Sequence, residues 1–334
     1  MLNIGVIGCG AIGRDHIRRL HDLVPGCQVI ACSDYLEEAA RKTAAQHEGL
    51  RAYATGEELI AAPEVHAVLI ASSDPSHAGY VLECLKHGKY VFCEKPLAQN
   101  ADDCEKIIQA EYAQGKRLVQ VGFMRRYDRG YAEMKRIIDS GELGAPLMIH
   151  ACHRNVSQPD GFQTEMGVSN VAIHELDICR WLLSDEYSSG QVLKVRQSAC
   201  STKGYDNPQI VLLETQSGAR IDVEVQVADA YGYDIQCQVV CEKGTVNLPD
   251  PYAVVKRANA TRSFPILTDW KDRFIEAYDI ELTEWVKSLA AGGPTGPSAW
   301  DGYAACVAAD ALNRSRGTGQ FLPITMMDKP SLYK

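Results

Sequence analysis

A chain of 334 residues with 46% hydrophobic and 23% charged residues is globular in composition and long enough for two hydrophobic cores, so we expect two domains. The formal net charge of -9, without any basic run, argues against a nucleic-acid partner, because phosphate contacts need clustered Lys and Arg. No apolar stretch reaches the roughly 18 residues that span a bilayer, and the N-terminus lacks the features of a secretory signal. We therefore expect no membrane insertion and a cytoplasmic location.

The first 122 residues alternate short apolar runs with amphipathic stretches, which is the pattern of βαβ units and of a parallel sheet. Apolar runs predict strands at residues 3–7, 28–33, 67–71, 90–93 and 118–122. Helical spacing of apolar residues predicts helices at residues 12–23, 37–47, 77–87 and 101–114. Asn100 is a suitable N-cap and Gly115 a suitable C′ residue for the last helix. We assign residues 1–122 to a doubly wound Rossmann domain of the α/β class.

After residue 122 the pattern changes to longer, β-branched runs. Strands are predicted at residues 147–153, 192–200, 210–215, 219–227 and 235–240. Helices are predicted at residues 130–140, 171–183, 270–290 and 298–314. We assign residues 123–334 to a second α/β domain with a large, open, mostly antiparallel sheet, which would bind substrate and support oligomerisation.

The predicted strand at residues 219–227 places four apolar side chains on one face, which are Ile221, Val223, Val225 and Val227. We expect helices to cover the other face of the sheet and leave this one exposed. Because an exposed apolar face needs cover, the sequence predicts a homo-oligomer.

The twelve cysteines form neither a metal-binding nor a disulfide pattern. No two are spaced Cys-x-x-Cys, and most lie inside apolar runs. Cys237 with Cys241, or His150 with His153, would need a second pair at suitable spacing to bind a metal, and neither has one. We expect reduced, buried cysteines and no metal site.

The segment Gly8-Cys9-Gly10-Ala11-Ile12-Gly13 follows a predicted strand and opens a predicted helix, as a dinucleotide fingerprint does. Its glycines permit a tight turn and a close approach to a pyrophosphate at the helix N-terminus. Asp34 ends the second strand, where a carboxylate accepts hydrogen bonds from ribose hydroxyls and repels a 2′-phosphate. This favours NAD over NADP, although Tyr35 and Arg41 leave some tolerance for NADP.

The tripeptide Glu94-Lys95-Pro96 closes the apolar run at residues 90–93. A charged amine at the carboxyl end of a buried strand faces the crevice where open α/β sheets bind ligands. The proline removes a backbone donor and forces a turn there. Lys95 is therefore a candidate catalytic residue, with a solvated strand-end lysine as the alternative interpretation.

Over its whole length the chain resembles the glucose-fructose oxidoreductase, inositol dehydrogenase and rhizopine-catabolism family (Gfo/Idh/MocA). The resemblance rests on the glycine loop, Ser73-Asp74-Pro75-Ser76-His77, Glu94-Lys95-Pro96, residues 120–128 and His174-Glu175-Leu176-Asp177. Residues 122–128, 231–234 and 296–303 are similar to the inositol 2-dehydrogenase branch in particular.

The resemblance implies NAD-dependent oxidation of a secondary ring hydroxyl of a cyclic polyol, with hydride transfer to the nicotinamide. The first expectation is myo-inositol as substrate and 2-keto-myo-inositol (inosose) as product, in inositol catabolism. Alternatives are another polyol or sugar, such as scyllo-inositol, an aldose or a glycoside, or a noncatalytic NAD-binding sensor. The family also implies a homo-oligomer, either a dimer or a tetramer.

The resemblance further implies roles for single residues. His174 would be the base and Lys95 would donate to the same hydroxyl, with Asn170 beside the histidine as the third catalytic position. Besides the loop residues, Asp34 and Lys95, the implied cofactor contacts are Ser72, Ser73, His77 and Glu94. The implied substrate contacts are Met124, Arg125, His153, Asn155, Asn170, Val171, His174 and Tyr233. For His153 and Asn155 a structural hydrogen bond is the alternative role.

The chain departs from the family at Asn170, where inositol dehydrogenases typically have an aspartate, and at Val171, where threonine is common. An asparagine can orient a hydroxyl or a ring, but it offers no charge to stabilise an imidazolium at His174. We therefore expect a shifted substrate preference, a slower reaction, or a proton transfer that depends more on Lys95.

Overall fold

The computed structural model describes residues 1–158, 160–199, 201, 204–251 and 254–334. Within these ranges the chain divides into two compact units that alternate along the sequence. The first unit comprises Met1–Phe123, Tyr278–Cys306 and Met326–Lys334, and the second comprises Met124–Ala277 and Val307–Thr325. None of the helices in the described ranges is long and apolar enough to cross a membrane.

The first unit, of which every residue is described, is built on six parallel strands in the order β3-β2-β1-β4-β5-β6. They are β1 (Leu2–Ile7), β2 (Cys27–Ser33), β3 (Arg51–Ala52), β4 (Ala67–Ile70), β5 (Tyr90–Glu94) and β6 (Val119–Gly122). The strand order reverses between β1 and β4, and in such sheets ligands bind at the carboxyl ends of the strands at this point. The predicted Rossmann sheet is confirmed.

The crossover helices of the first unit begin and end where local signals require it. They are α1 (Ala11–Asp22), α2 (Glu37–Ala44), α3 (Gly56–Ala61), α4 (Asp74–Lys86) and α5 (Ala101–Ala113). Asn100 accepts a hydrogen bond from the Asp103 N–H at 2.9 Å, and Gly115 adopts φ +69°, as predicted for the ends of α5. Strand β3 and helix α3 were not predicted, because two and six residues are too short for a periodic signal.

The core of the first unit includes side chains from distant parts of the sequence. Ile4, Leu69 and Phe92 from the sheet pack with Leu282 and Trp285, all fully buried. The rings of Phe92 and Trp285 meet at a centroid distance of 5.4 Å and an angle of 62°. The predicted domain boundary at residue 122 assigns Trp285 to the second domain. In the structure the chain returns to the first unit at Tyr278, and Trp285 packs against the Rossmann sheet there.

In the described part of the second unit, seven strands form one sheet in the order β12-β11-β7-β10-β9-β8-β15. They are β7 (Pro146–Arg154), β8 (Tyr187–Lys194), β9 (Gln209–Thr215), β10 (Arg220–Gln226), β11 (Asp234–Cys241), β12 (Gly244–Asn247) and β15 (Leu322–Pro323). Strands β7 and β10 pair in parallel and the other neighbours pair antiparallel, so the predicted mostly antiparallel sheet is confirmed. A separate ribbon joins β13 (Lys256–Ala258) to β14 (Thr261–Ser263).

The described helical segments after residue 123 are four α-helices and three irregular turns. In chain order they are a 3₁₀ turn (Met124–Tyr127), α6 (Arg129–Ser140), a π-helical turn (Gly167–Ala172), α7 (Ile173–Leu183), α8 (Trp270–Ala290), α9 (Ala299–Ser315) and a 3₁₀ turn (Ser331–Tyr333). Helices α8 and α9 each contribute residues to both units.

The strand predicted at residues 192–200 lies earlier in the chain, at Tyr187–Lys194. Lys194 is the last residue that pairs with β9. After it, Gln197 and Ser198 bond instead to the turn before β9: the side chain of Gln197 donates to Asp206, and the N–H of Ser198 to the Asn207 carbonyl. Residue 200 lies outside the described residues.

The prediction of an exposed apolar face on β10 is wrong. Ile221, Val223, Val225 and Val227 are at most 2% exposed. They share a face with Ile149 of β7, the strand that helix α7 packs against, so helices already cover them. Because successive side chains of a strand point to opposite sides, the other face carries polar residues. Those of β10 are Arg220, Asp222, Glu224 and Gln226.

The eleven cysteines that the structure describes are all buried and unlinked. Among the described residues there is no group of three or more His, Cys, Asp or Glu side chains that could hold a metal ion.

Candidate active site

The glycine loop between β1 and α1 is shaped by contacts that exclude side chains at two positions. A Cβ on Gly8, at φ +100°, would lie 2.4 Å from the Ala71 carbonyl oxygen, and one on Gly13 would lie 1.9 Å from the Gly8 oxygen. A Cβ on Gly10 would meet only open space. Gly10 is the N-cap of α1, where backbone N–H groups are free to bind an anion. The loop therefore fits a pyrophosphate.

Asp34 connects this loop to the end of β2. Its Oδ2 accepts the N–H of Cys9 at 2.7 Å, and its Oδ1 accepts the N–H of Leu36 at 2.8 Å. A carboxylate accepts about four hydrogen bonds, so lone pairs remain for ribose hydroxyls. Arg41 is paired with Glu37 at 2.5 Å. This pairing opposes a role for Arg41 in binding a 2′-phosphate, and the arrangement favours NAD.

The loop after β4 is tied to the Glu94-Lys95-Pro96 segment through His77. Nδ1 of this buried imidazole lies 2.7 Å from the Pro96 oxygen, and Nε2 lies 3.1 Å from the Ser72 oxygen. The hydroxyl groups of Ser72 and Ser76 are 2.7 Å apart, and Ser76 also donates to the carbonyl of Ser73. The predicted cofactor residues of this loop thus lie at the carboxyl end of the sheet with Lys95.

Glu94, the last residue of β5, is buried, and its carboxylate accepts hydrogen bonds from two partners. Nε2 of His16 lies 2.7 Å from Oε1, and the N–H of Lys95 donates to Oε2 at 3.3 Å. Burial raises the pKa of Glu94, but the hydrogen bond and charge of His16, with the charges of Lys95 and His77, outweigh it and hold the pKa below its ordinary value. His16 is not among the residues predicted from the sequence, although a histidine one turn after the glycine loop is a detectable signal.

In the second unit, the predicted residues Arg125 and His153 form a buried charged cluster with Glu175, which follows the predicted His174 in the sequence. Arg125 donates to Glu175, and both side chains are 1% exposed. Nδ1 of His153 lies 2.9 Å from Glu175 Oε2 and 3.1 Å from the Arg125 guanidinium. Burial raises the pKa of Glu175, but Arg125 and His153 more than offset it and lower the pKa to about 2. Glu175 stood beside His174 in the sequence and was not predicted as a site residue.

His174 and Tyr233 lie around the same cluster. The ring centroid of His153 is 6.1 Å from that of His174 and 5.9 Å from that of Tyr233. His174 occupies the first turn of α7 and is buried. Burial raises the pKa of Tyr233 to about 12, so its hydroxyl stays protonated at neutral pH. The buried Met124 begins the 3₁₀ turn that carries Arg125.

The π-helical turn before α7 carries Asn170 and Val171. The Ser169 hydroxyl donates to the amide oxygen of Asn170 at 3.0 Å, and Val171 is buried. Such turns occur often at functional sites. Asn155 follows β7, where its N–H donates to the Gln226 carbonyl at 2.8 Å.

The structure thus gathers the predicted cofactor residues and Lys95 inside the first unit. It gathers the predicted substrate residues and His174 inside the second unit. Buried hydrogen bonds position each group. In the first unit His16, which was not predicted, bonds to the predicted Glu94, and in the second unit Glu175, which was not predicted, bonds to the predicted His153.

The amino-acid sequence matches both domain models of one oxidoreductase family. Residues 2–123 match its NAD-binding Rossmann fold, and residues 135–326 match its C-terminal alpha/beta domain. The chain is 52% identical to an inositol 2-dehydrogenase of Burkholderia cenocepacia and 53% identical to one of Ralstonia nicotianae, over 100% of this chain and 99% of each relative.

Solved structures agree with these relatives. A myo-inositol dehydrogenase from Lactobacillus casei, in complex with NAD(H) and myo-inositol, matches with a TM-score of 0.97 and 37% identity over 100% of both chains. A probable dehydrogenase from Thermotoga maritima matches with a TM-score of 0.89 and 27% identity, over 97% of this chain and 99% of that one.

Proposed function

The chain belongs to the Gfo/Idh/MocA family of oxidoreductases, and from this premise we propose that it oxidises a secondary ring hydroxyl of a cyclic polyol, with myo-inositol as substrate and 2-keto-myo-inositol as product. The family, the oxidoreductase class and NAD as cofactor, all predicted from the sequence, are confirmed by these matches. The observation that carries the proposed substrate is full-length identity of 52% and 53% to relatives named inositol 2-dehydrogenase.

The proposed reaction needs a base, because the hydroxyl oxygen must lose its proton as the ring carbon becomes a ketone. We assign the removal of this hydroxyl proton to His174 together with Lys95, as the family resemblance implies. The surroundings of His174 support this role: the neighbouring His153 is oriented by Glu175, whose pKa of about 2 keeps it ionised. Tyr233, protonated at neutral pH, is suited to donate to a polyol oxygen.

Bound NAD supplies the acceptor for the hydrogen and the electron pair that leave the ring carbon. The first unit has residues that fit it. Gly10 leaves open space at the N-terminus of α1, where backbone N–H groups favour a pyrophosphate, and Asp34 retains acceptor capacity beside the loop. We propose that Ser72, Ser73, His77 and Glu94 complete this region.

Asn170 favours a second candidate, a dehydrogenase of another polyol or sugar, such as scyllo-inositol, an aldose or a glycoside. Its amide oxygen accepts from Ser169, and it carries no charge where inositol dehydrogenases typically have an aspartate. An amide has both donors and acceptors, whereas a carboxylate only accepts, so the substitution changes which hydroxyl pattern is matched.

A dimer or tetramer and a cytoplasmic location remain predictions. The apolar face named in the sequence analysis does not support assembly, because helices cover it. The polar face of the second sheet carries ion pairs instead, among them Arg154 with Glu224 and Asp234. A monomeric mass in solution at micromolar concentration would contradict the predicted assembly.

The test is a panel of inositol isomers, aldoses and glycosides assayed for NADH formation with wild type and with Asn170→Asp. We expect turnover of myo-inositol by wild type and a kcat about three- to tenfold higher in Asn170→Asp, because a carboxylate stabilises an imidazolium. Asn247→Asp, at an exposed position of β12, is the matched control. Turnover of scyllo-inositol, an aldose or a glycoside without turnover of myo-inositol selects the second candidate. NAD binding without NADH formation on any substrate, in either protein, contradicts the proposal and supports a sensor.

A further inference from the structure

A buried hydrogen bond joins helix α1 to the strand that ends at Lys95. His16 on α1 is fully buried, and its Nε2 lies 2.7 Å from Oε1 of Glu94. Because an ionised carboxylate only accepts hydrogen bonds, Nε2 is the donor. The other carboxylate oxygen accepts the N–H of Lys95 at 3.3 Å. A continuous hydrogen-bonded chain therefore leads from α1 through Glu94 to the backbone of Lys95.

The surroundings of the His16 imidazole are otherwise aromatic. Its ring meets Phe92 at 5.9 Å and Tyr278 at 5.7 Å, both edge-on. Its Nδ1 is buried with no hydrogen-bond partner among the described residues. An apolar side chain would fill this space without that penalty, since a buried polar atom without a partner destabilises the fold. The contact with Glu94 is what distinguishes histidine from an apolar residue here.

The carboxylate of this pair is ionised although it is buried. Burial raises the pKa of Glu94, but the hydrogen bond and charge of His16, with the charges of Lys95 and His77, outweigh that effect and hold the pKa below its ordinary value. The other charged or titratable groups on the elements around the pair are Lys95, His77 of α4, Tyr278 of α8, and Asp15 and Arg19 of α1 with Asp279.

We propose that His16 is a positioning residue for Lys95: its N–H donor holds the ionised Glu94 carboxylate next to the lysine. This inference rests on the proposed function, in which Lys95 handles the hydroxyl proton. Because α1 begins at the glycine loop, the same hydrogen bond also joins the cofactor helix to the lysine strand.

The experiment measures kcat for myo-inositol and NAD affinity in three variants of the pair and one control. His16→Gln keeps an N–H donor for Glu94 and should retain about a third or more of the wild-type kcat, whereas His16→Leu has no donor and should lower kcat about tenfold or more. Glu94→Gln keeps the shape of the side chain but removes the ionised acceptor, and should lower kcat about as much as His16→Leu. His21→Gln, an exposed histidine on the same helix, should leave kcat unchanged.

A kcat of His16→Gln within about threefold of wild type and a kcat of His16→Leu about tenfold lower, with NAD affinity within about threefold of wild type in both, support the inference. Equal losses of kcat in His16→Gln and His16→Leu overturn it, because the N–H donor would then make no difference. If His16→Leu does not fold, Glu94→Gln decides: a kcat about tenfold lower supports the inference, and wild-type kcat overturns it. A wild type that forms no NADH from any polyol contradicts the proposed function and removes this inference with it.

Discussion

Each unit buries one carboxylate beside a histidine, but the two carboxylates have different partners. Glu94 in the first unit is held by His16 and by the Lys95 N–H. Glu175 in the second unit is held by Arg125 as well as by His153. A guanidinium carries a permanent positive charge and five N–H donors, whereas an imidazole has at most two donors.

The difference indicates two functions for buried charge. The Glu94 pair lies next to the lysine that we propose handles a proton. The Glu175 cluster contains a guanidinium as counter-charge, and it orients residues that we propose contact the polyol. Variants that remove one charge at a time should therefore affect catalysis in the first unit and stability in the second.

The largest effect is expected for Lys95→Ala, which tests the catalytic side of the comparison. The kcat should fall about a thousandfold or more, because a group that handles the proton is lost. NAD affinity should stay within about twofold, as measured by fluorescence titration. Lys86→Ala, an exposed lysine of α4, is the control and should have wild-type activity. A Lys95→Ala enzyme with a tenth of wild-type activity would contradict the assignment.

For the second unit we expect Glu175→Gln to lower the free energy of unfolding by about 3–5 kcal/mol, because the Arg125 guanidinium is left buried without a counter-charge. Urea denaturation measures this change. Glu276→Gln breaks an exposed pair with Arg129 and should cost at most about 1 kcal/mol. Equal effects of the two substitutions would mean that the buried cluster does not hold the second unit together.

The same cluster predicts a pH dependence of stability. Folding lowers the pKa of Glu175 from 4.5 to about 2, so its contribution is fully present above pH 4.5 and is lost as the pH falls towards 2. The contribution at neutral pH is about 3 kcal/mol. The stability difference between wild type and Glu175→Gln should therefore narrow from pH 5 to pH 2. A constant difference over this range would show that the carboxylate is not the stabilising species.

The smallest effect is expected at Asp34, which lies in the first unit but outside both clusters. Asp34→Asn should lower the preference for NAD over NADP about tenfold, because a negative charge no longer repels a 2′-phosphate. The ratio of kcat/KM for the two cofactors measures it. Asp22→Asn, exposed at the end of α1, should leave the ratio unchanged. If Asp34→Asn leaves the ratio of kcat/KM for NAD and NADP unchanged, other residues select the cofactor.

Local sequence signals predicted the Rossmann half well. The glycine loop, the ends of α5 and the order of strand and helix follow from residues that are close in sequence. Very short elements, such as the two residues of β3, have no periodicity to detect. The family and the cofactor were likewise predictable, because their motifs are contiguous, and the same motifs made Lys95 and His174 candidates.

In the second unit, the sequence did not predict which face of a strand is buried. The alternation along β10 correctly placed Ile221 and Val223 on one face, but the sequence does not say which face the helices cover. The side chain partners of the predicted residues were hidden for the same reason. His16 and Glu94 are 78 residues apart, and Arg125 and Glu175 are 50 apart.

The sequence by itself therefore determined most of the longer elements, the dinucleotide loop and the candidate proton-handling residues, because periodicity, capping and short motifs act within a few residues. Only the tertiary structure decided which side of the second sheet is covered, that Trp285 completes the first core, and that each buried carboxylate has a different partner. The physical reason is that these contacts join residues far apart in the chain, so their free energy depends on packing and burial that exist only in the folded protein.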